Sequence, residues 1–399
     1  LVRLLLSGGG TGGHVYPALT VVDELKTLAA CQWPVTGNQQ QATGGWQVES
    51  GDRSLDAVLY VGTEGGLEAD IVARAGIPFR AVRAGALLGL SPWQALRNVW
   101  ELLRGSVQAW RILRQFRPSV VLATGGYASA PVALAAWLQG CPVLVYLPDI
   151  LPGLAIRVLA RLAKRVAVSF DASVACFRPG KAVVTGYPVR AALFSGDKLG
   201  ARQRLGLTCE QKVLLVFGGS RGAHSINQAV SAGLEQLLDK AQIVHISGEK
   251  DLSWLQERRA QLPAGLRERY HLFGYLHDEM VDALLAADLA VARAGAATMG
   301  EFAAAGLPSI LVPYPYAGQH QEANADFMLK RGAALKLPDA ELKAGALEHA
   351  VTRLLCDENA LRCMAENARK LARPDAARAI ALQLMQLSRQ RASAGGQLD

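Results

Sequence analysis

The chain reads as an α/β protein of two doubly wound, Rossmann-like parallel-sheet domains, and three observations carry that expectation. An apolar run at 4–6 passes at once into Ser7-Gly8-Gly9-Gly10-Thr11-Gly12-Gly13-His14, then into a segment with apolar residues at Val15, Leu19, Val22 and Leu25, a helical spacing. The same order returns at 212–217, Gly218-Gly219-Ser220-Arg221-Gly222-Ala223 and the periodic Ile226, Val230 and Leu234. Elsewhere short apolar runs alternate with helical segments, as parallel strands covered on both faces by helices require. A length of 399 residues, 51% of them hydrophobic, leaves room for two or three domains.

Taken in order, the first glycine cluster lies between a buried strand and a helix N-terminus, a place for a phosphate or a developing negative charge. Gly8 to Gly13 satisfies G-x-G-x-x-G, as many glycine clusters do, and a tight strand-to-helix turn would use the same residues. The polar segment 32–52, rich in Gln, Gly and Thr, reads as a surface insertion. Strands are expected at 57–61, 119–123, 143–147, 165–168, 182–185, 242–247, 287–292 and 309–312. The apolar stretch 128–147 has the length of a membrane span, but Pro131, Gly140 and Pro142 divide it into a short helix, 132–138, and a strand. Gly186-Tyr187-Pro188-Val189-Arg190 precedes a polar stretch, 195–211, and marks the domain crossing, giving an N-terminal domain over 1–188 and a C-terminal one over 189–373. Pro374 interrupts the last helical region; a helix over 374–390 is expected to pack back on the first domain, with 391–399 a frayed tail.

A net charge of +8 calls for an anionic partner: a nucleotide, a nucleic acid or an acidic membrane surface. Six scattered cysteines without a C-x-x-C pair fit a reduced chain, and the first residues lack the pattern of a signal peptide.

Two further regions carry chemistry. In Arg293-Ala294-Gly295-Ala296-Ala297-Thr298-Met299-Gly300-Glu301, small residues follow a strand and place a carboxylate early in the next helix. Such a glutamate complements a helix N-terminus; equally, it offers two acceptors to a ribose diol while nearby N–H groups face a diphosphate. Just past another strand end, Gln319, His320, Gln321 and Asn324 supply donors suited to sugar hydroxyls. Pro92 starts a helix with Trp93, Leu96, Trp100, Leu103, Val107 and Trp110 on one side and Arg97, Arg104 and Arg111 in a stripe beside it. That composition suits an interfacial helix drawn to anionic lipid, and equally a core helix whose arginines reach for water. The preceding loop, Ala86-Leu87-Leu88-Gly89-Leu90, favours the membrane.

In combination and in order, Gly9 to His14, Thr124-Gly125-Gly126-Tyr127, Gly218 to Ala223 with Asn227, the 294–308 segment and the His320-Gln321, Asn324-Ala325 pairs resemble the MurG family. These are the bacterial UDP-N-acetylglucosamine–N-acetylmuramyl-(pentapeptide) pyrophosphoryl-undecaprenol N-acetylglucosaminyltransferases of glycosyltransferase family 28. The resemblance implies a GT-B fold with its two domains facing across a cleft. It also implies inverting transfer of N-acetylglucosamine from UDP-GlcNAc to lipid I, giving lipid II, in an enzyme held peripherally at the inner face of the cytoplasmic membrane. No metal, no cofactor and no nucleic acid is called for; the partners are UDP-GlcNAc, lipid I and anionic lipid. By that similarity the first domain receives lipid I and the second binds the donor. Ser220 contacts the diphosphate, Arg190 lies near the nucleotide, Ala296, Ala297, Thr298, Met299, Gly300 and Glu301 line the uridine and ribose, and Gln321 meets the sugar. Thr11, Gly12 and Gly13 approach the transferred sugar from the other side, Gly125, Gly126 and Tyr127 form an acceptor or diphosphate loop, and Leu87, Leu88, Trp93, Arg97, Trp100 and Arg104 face the membrane.

One departure stands out. Where the family carries His-Glu-Gln-Asn, this chain has Tyr146-Leu147-Pro148-Asp149. Asp149 then stands at the asparagine position, and His14 becomes the leading general base, since imidazoles titrate near neutral pH. The rivals are a UDP-GlcNAc 2-epimerase or glycolipid glycosyltransferase on the same fold, a nicotinamide dehydrogenase and a non-catalytic scaffold. Against the dehydrogenase, Val61-Gly62-Thr63 stands where an acidic residue should end the second strand.

Overall fold

The computed structural model describes residues 2–9, 12–31, 55–66, 68–85, 92–219, 222–315 and 320–395. They fall into two units: Leu1–Pro148, Pro152–Pro188 and Asp375–Asp399 in unit 1, Asp149–Leu151 and Val189–Pro374 in unit 2. The 32–52 insertion lies outside the described residues.

Unit 1 is built on seven parallel strands, β1 (Val2–Gly8), β2 (Leu55–Thr63), β3 (Phe79–Val82), β4 (Val120–Gly125), β5 (Val143–Leu147), β6 (Arg165–Val168) and β7 (Ala182–Val184), in the order β3-β2-β1-β4-β5-β6-β7. β1 lies between β2 and β4, with Leu5 opposite both Leu59 and Val121. The strand order therefore reverses between β1 and β4, and the loops leaving those two strands open at the crevice where doubly wound sheets bind ligands. Helices α1 (Gly12–Cys31), α2 (Glu68–Arg74), α3 (Pro92–Phe116), α4 (Ser129–Leu138) and α5 (Leu154–Leu162) provide the crossovers. One side of the sheet shares a core with α3, α4 and α5 through Leu113, Val132, Ala136, Ile156 and Leu159. The apolar 128–147 stretch resolves into α4 and β5, and Pro131 is accommodated near the start of α4, where a missing N–H costs nothing. No helix among the described residues is long and apolar enough to cross a membrane.

Unit 2 repeats the plan with six parallel strands, β8 (Val213–Phe217), β9 (Gln242–Ile246), β10 (Tyr270–Phe273), β11 (Leu289–Ala292), β12 (Ser309–Leu311) and β13 (Ala334–Lys336), ordered β10-β9-β8-β11-β12-β13. Here the reversal falls between β8 and β11. The helices are α6 (Lys198–Arg204), α7 (His224–Ala232), α8 (Leu234–Lys240), α9 (Leu252–Ala260), α10 (Ala264–Arg267), α11 (Met280–Ala286), α12 (Ala296–Ala305), α13 (His320–Lys330), α14 (Ala346–Leu355) and α15 (Glu358–Leu371). Leu214, Val216, Ile226, Leu234, Val291 and Val351 belong to one core.

A last helix, α16 (Ala376–Gly395), packs against α1 and β4 of unit 1. It corrects the expected frayed tail over 391–395, which is helical: the Arg391 guanidinium donates to the Pro118 carbonyl and Arg165 Nη1 donates to Gln383 Oε1 at 2.6 Å, so the helix is pinned beside the starts of β4 and β6. The strands β3, β10 and β13 were not anticipated. All three are sheet edges with partly exposed residues, so they lack the continuous apolar run that marks a central strand.

Candidate active site

In unit 1 the two loops at the strand reversal hold one another. His14, on the first turn of α1, donates from Nδ1 to the Thr124 carbonyl at 2.6 Å, and Thr124 Oγ1 returns a bond to the His14 carbonyl at 2.8 Å. A carbonyl oxygen only accepts, so Nδ1 carries the proton and the neutral ring leaves its lone pair on Nε2. Two glycines make the approach possible. Gly125 and Gly126 have φ of 105° and 81°; a Cβ on Gly125 would sit 3.1 Å from the His14 ring, and one on Gly126 would sit 2.3 Å from the Gly9 carbonyl oxygen. Tyr187 closes the other side, its hydroxyl donating to the Gly13 carbonyl at 3.2 Å, and Tyr127 is exposed beside the loop.

The residues that replace the family's His-Glu-Gln are structural. Tyr146 is buried and its hydroxyl shares a hydrogen bond with Ser169 at 2.7 Å, while Leu147 is buried in the core. Neither side chain is placed for proton transfer to a ligand. Asp149 is held in unit 2 by Asn324, whose Nδ2 donates to Asp149 Oδ1 at 2.8 Å and to the Ala294 carbonyl at 3.0 Å, while its Oδ1 accepts the Ile150 N–H at 3.0 Å. Asn324 is fully buried with every polar atom engaged. It therefore positions the 149–151 segment rather than offering a donor to a sugar, which corrects its sequence reading.

The reversal of the second sheet brings together the other motifs. The loop after β8 ends in Gly222 and leads into α7; the loop after β11 leads into α12. Gly295, at the start of α12, provides no side-chain cap, which leaves first-turn N–H groups directed at whatever binds there. Behind the α7 loop lies a buried polar lattice that sequence reasoning did not find. Asn227 Nδ2 donates to the Ser247 carbonyl at 2.9 Å and to Asp251 at 2.7 Å, its Oδ1 faces His245 Nε2 at 3.0 Å, and His245 Nδ1 faces the Tyr270 hydroxyl at 2.8 Å. Burial pushes the His245 imidazole down to about 3, partly opposed by the Asp251 charge, so it serves as a neutral strut. Arg293 is likewise committed, bonded to Asp339, to Ser225 Oγ at 2.8 Å and to the Val312 carbonyl at 3.3 Å.

Glu301, two turns into α12, is different. It is half-buried, and among the described residues no side chain or backbone group pairs with its carboxylate. Desolvation pushes the carboxyl up to about 7, while the positive charge of Arg190 pulls the other way. That electrostatic influence places Arg190 and Glu301 in one neighbourhood of unit 2. Arg190 Nη1 also donates to the His277 carbonyl at 3.4 Å. Gln321 is oriented by the Tyr314 N–H, which donates to its Oε1 at 2.9 Å and leaves the amide nitrogen as a donor. Ala296 and Ala297 are half-buried; Thr298 and Gly300 are buried and Met299 is wholly enclosed, so the Met299 side chain serves the core and not an open surface.

Thr11, Ser220, Leu87 and Leu88 lie outside the described residues, as do the side chains of Trp93 and Arg97. On the remainder of α3 the expected single apolar side divides: Trp100, Leu103 and Val107 are 56%, 54% and 53% exposed, whereas Trp110 packs with Ala109 and Leu113 against the core. The Arg104 guanidinium stacks 5.3 Å from the Trp100 ring centre.

Comparison with known proteins matches residues 52–168 to the glycosyltransferase family 28 N-terminal domain and residues 213–380 to the family 28 C-terminal domain. A Roseiflexus sp. protein named UDP-N-acetylglucosamine--N-acetylmuramyl-(pentapeptide) pyrophosphoryl-undecaprenol N-acetylglucosamine transferase is 43% identical, over 96% of this chain and 94% of its own. A Moorella thermoacetica protein of the same name is 39% identical over 95% and 97%. Among solved structures, Acinetobacter baumannii MurG superposes with a TM-score of 0.67 at 25% identity, covering 96% of this chain and 99% of its own. A UDP-GlcNAc 2-epimerase from Neisseria meningitidis reaches 0.64 at 14% identity, over 96% and 99%, a likeness of fold alone.

Proposed function

The chain belongs to glycosyltransferase family 28, and from that premise we propose that it transfers N-acetylglucosamine from UDP-N-acetylglucosamine to N-acetylmuramyl-(pentapeptide) pyrophosphoryl-undecaprenol, lipid I, to give lipid II. The observation that carries the reading is His14 beside the first sheet's reversal, with Nδ1 tied to Thr124 and Nε2 left to accept a proton. Glu301 and the uncapped start of α12, beside the second sheet's reversal, supply a matching donor site.

The chemistry is a single displacement with inversion. The acceptor hydroxyl oxygen forms a bond to the anomeric carbon as the bond from that carbon to the UDP oxygen breaks; the hydroxyl proton passes to His14 Nε2, and the electron pair leaves on the diphosphate. Fixed N–H groups at the start of α12 oppose the charge that develops there, and Ser220 takes the diphosphate contact that the family resemblance gives it. Glu301 accepts from the ribose hydroxyls, with Ala296, Ala297, Thr298 and Gly300 shaping the floor by backbone; Gln321 donates to the sugar, and Arg190 balances the Glu301 charge. Asp149, set by Asn324, acts on the sugar from a position the family gives to asparagine. Thr11, Gly12 and Gly13 belong with His14, and Gly125, Gly126 and Tyr127 with the acceptor. The test is incubation with labelled UDP-N-acetylglucosamine and a lipid I analogue. Labelled lipid together with free UDP supports the reading; label held wholly in the nucleotide, or recovered as a 2-epimer, removes it.

Delivery of a lipid acceptor needs a membrane-facing surface, and α3 is the one we assign. Its exposed Trp100, Leu103 and Val107 flank Arg104 and Arg111, the composition of a helix lying in an anionic interface. Replacing Arg104 and Arg111 by glutamate should release the protein from anionic vesicles, since each basic residue near such a surface contributes about 1 kcal/mol and reversal adds repulsion. Activity on a water-soluble acceptor analogue should persist. Sedimentation of the double variant with anionic vesicles at the parent level would move the docking surface elsewhere.

A further inference from the structure

Away from both strand reversals, unit 1 contains a second feature with the chemistry of a binding site. A cavity of about 800 Å³ lies between α5 and the chain that follows β6, a volume within the range of small-molecule sites. Its lining brings together Arg157, Arg161, Arg178 and Lys181 over Phe177 and Cys176, and includes no carboxylate. Two local devices put the cations there. Arg157 and Arg161 are four residues apart on α5 and so share one face. Arg178 and Lys181 end a tight turn closed by the Lys181 N–H to the Arg178 carbonyl at 3.0 Å, with Pro179 and the positive-φ Gly180 at its centre, the arrangement of a type II turn.

The cations are not absorbed by the fold to the same degree. Arg157 spends its Nε on the Pro152 carbonyl at 3.0 Å, and the Lys181 ammonium donates to the Ala163 carbonyl. Among the described residues, Arg161 and Arg178 have neither a hydrogen-bond nor an ion-pair partner for their guanidinium groups. The field is unbalanced enough to act on its own members. Partial burial first, then the charges of Arg178 and Lys164, lower the Lys181 ammonium below the usual lysine range. Nothing in the transfer reaction uses these residues. Four cations on one lining, two of them with open guanidinium forks, have the chemistry to take a tetrahedral oxyanion, which guanidinium groups bind in bidentate fashion.

We propose that this cavity is a binding site for a phosphate-bearing anion, taken either from the headgroup of an anionic lipid or from a free phosphorylated ligand. The exposed Leu154 and Val158 on α5 lie along the same helix as Arg157 and Arg161, so the site presents apolar surface as well as charge.

The cavity carries its own reporter. Cys176 is a free, exposed thiol on its lining, and the exposed Cys209, Cys356 and Cys363 of unit 2 serve as internal controls. Alkylation rates are read at each cysteine by peptide mass spectrometry with anionic iodoacetate and neutral iodoacetamide at low salt. The iodoacetate-to-iodoacetamide ratio at Cys176 should exceed that at the three controls by about fivefold, the size of one ion contact in water, and should fall as salt rises. Inorganic pyrophosphate or phosphatidylglycerol vesicles should then slow alkylation of Cys176 selectively. Protection by pyrophosphate alone assigns a soluble ligand. Protection by the vesicles, at a lipid concentration where pyrophosphate has no effect, assigns a headgroup. The Arg161→Gln, Arg178→Gln double variant should lose both the ratio and the protection while retaining transfer to a soluble acceptor. Equal ratios at all four cysteines, no protection by either probe, or protection that survives in the double variant would overturn the proposal.

Discussion

Replacing His14 by alanine is expected to lower kcat by roughly 10²- to 10⁴-fold while UDP binding stays unchanged. The split follows from where the ring acts. Deprotonation of the acceptor matters only as the new bond forms, so its loss falls on the transition state and spares the ground-state complex. The geometry sharpens the expectation, because the Thr124 carbonyl fixes the proton on Nδ1 and leaves Nε2 as the base. The split is measured with saturating UDP-N-acetylglucosamine and a soluble acceptor. Weakened UDP binding with turnover preserved would make His14 a positioning residue, and Asp149 would be next in line as base.

The second large effect is expected at Glu301. Its alanine variant should raise KM for UDP-N-acetylglucosamine by about tenfold to a hundredfold, the range for hydrogen bonds to a charged acceptor. The pH dependence follows from the same carboxyl. Desolvation places its titration near 7, so below that pH one acceptor oxygen becomes a donor and the diol loses a partner. Donor affinity in the parent should therefore rise as pH increases through about 7, and Glu301→Gln should flatten the curve. Folding stability should move the opposite way. A carboxyl whose folded value lies above the ordinary 4.5 contributes stability that is present below that value and is lost as pH rises through about 7. Unchanged KM in Glu301→Ala, at both pH 6 and pH 8, would reduce the residue to helix electrostatics.

Much of this site can be read from the amino-acid sequence because its parts are local. Strand, glycine loop and helix start follow one another at 2–14 and at 213–224, and an uncapped helix with an early glutamate follows at 289–301, each within a span that periodicity and turn chemistry can resolve. What depends on distant pairing is not visible in that way. The three edge strands lack a two-sided apolar run, and Asn324 looks like a sugar donor until its bonds to Asp149 and Ile150, more than 170 residues away in sequence, consume it. The same holds for His245, whose buried ring is held between Asn227 and Tyr270 from separate elements. The four cations of the α5 cavity are spread over 157–181 without forming a charge run, and it takes one face of α5 and the turn at 178–181 together to place them on one lining.

The packing of α16 against α1 and β4 has a consequence for how the chain is made. Unit 2 is assembled from residues 149–151 and 189–374, all of which have been synthesised before the first residue of α16. Unit 1 begins at the start of the chain yet lacks a helix until residues 376–395 have been added, so the α1 surface and the carbonyl of Pro118 wait through the whole synthesis of unit 2. Domains fold as units during translation, and N-terminal ones generally do so first. Here that order is inverted for the docking step: every residue of unit 2 is made before the helix that covers α1 of unit 1.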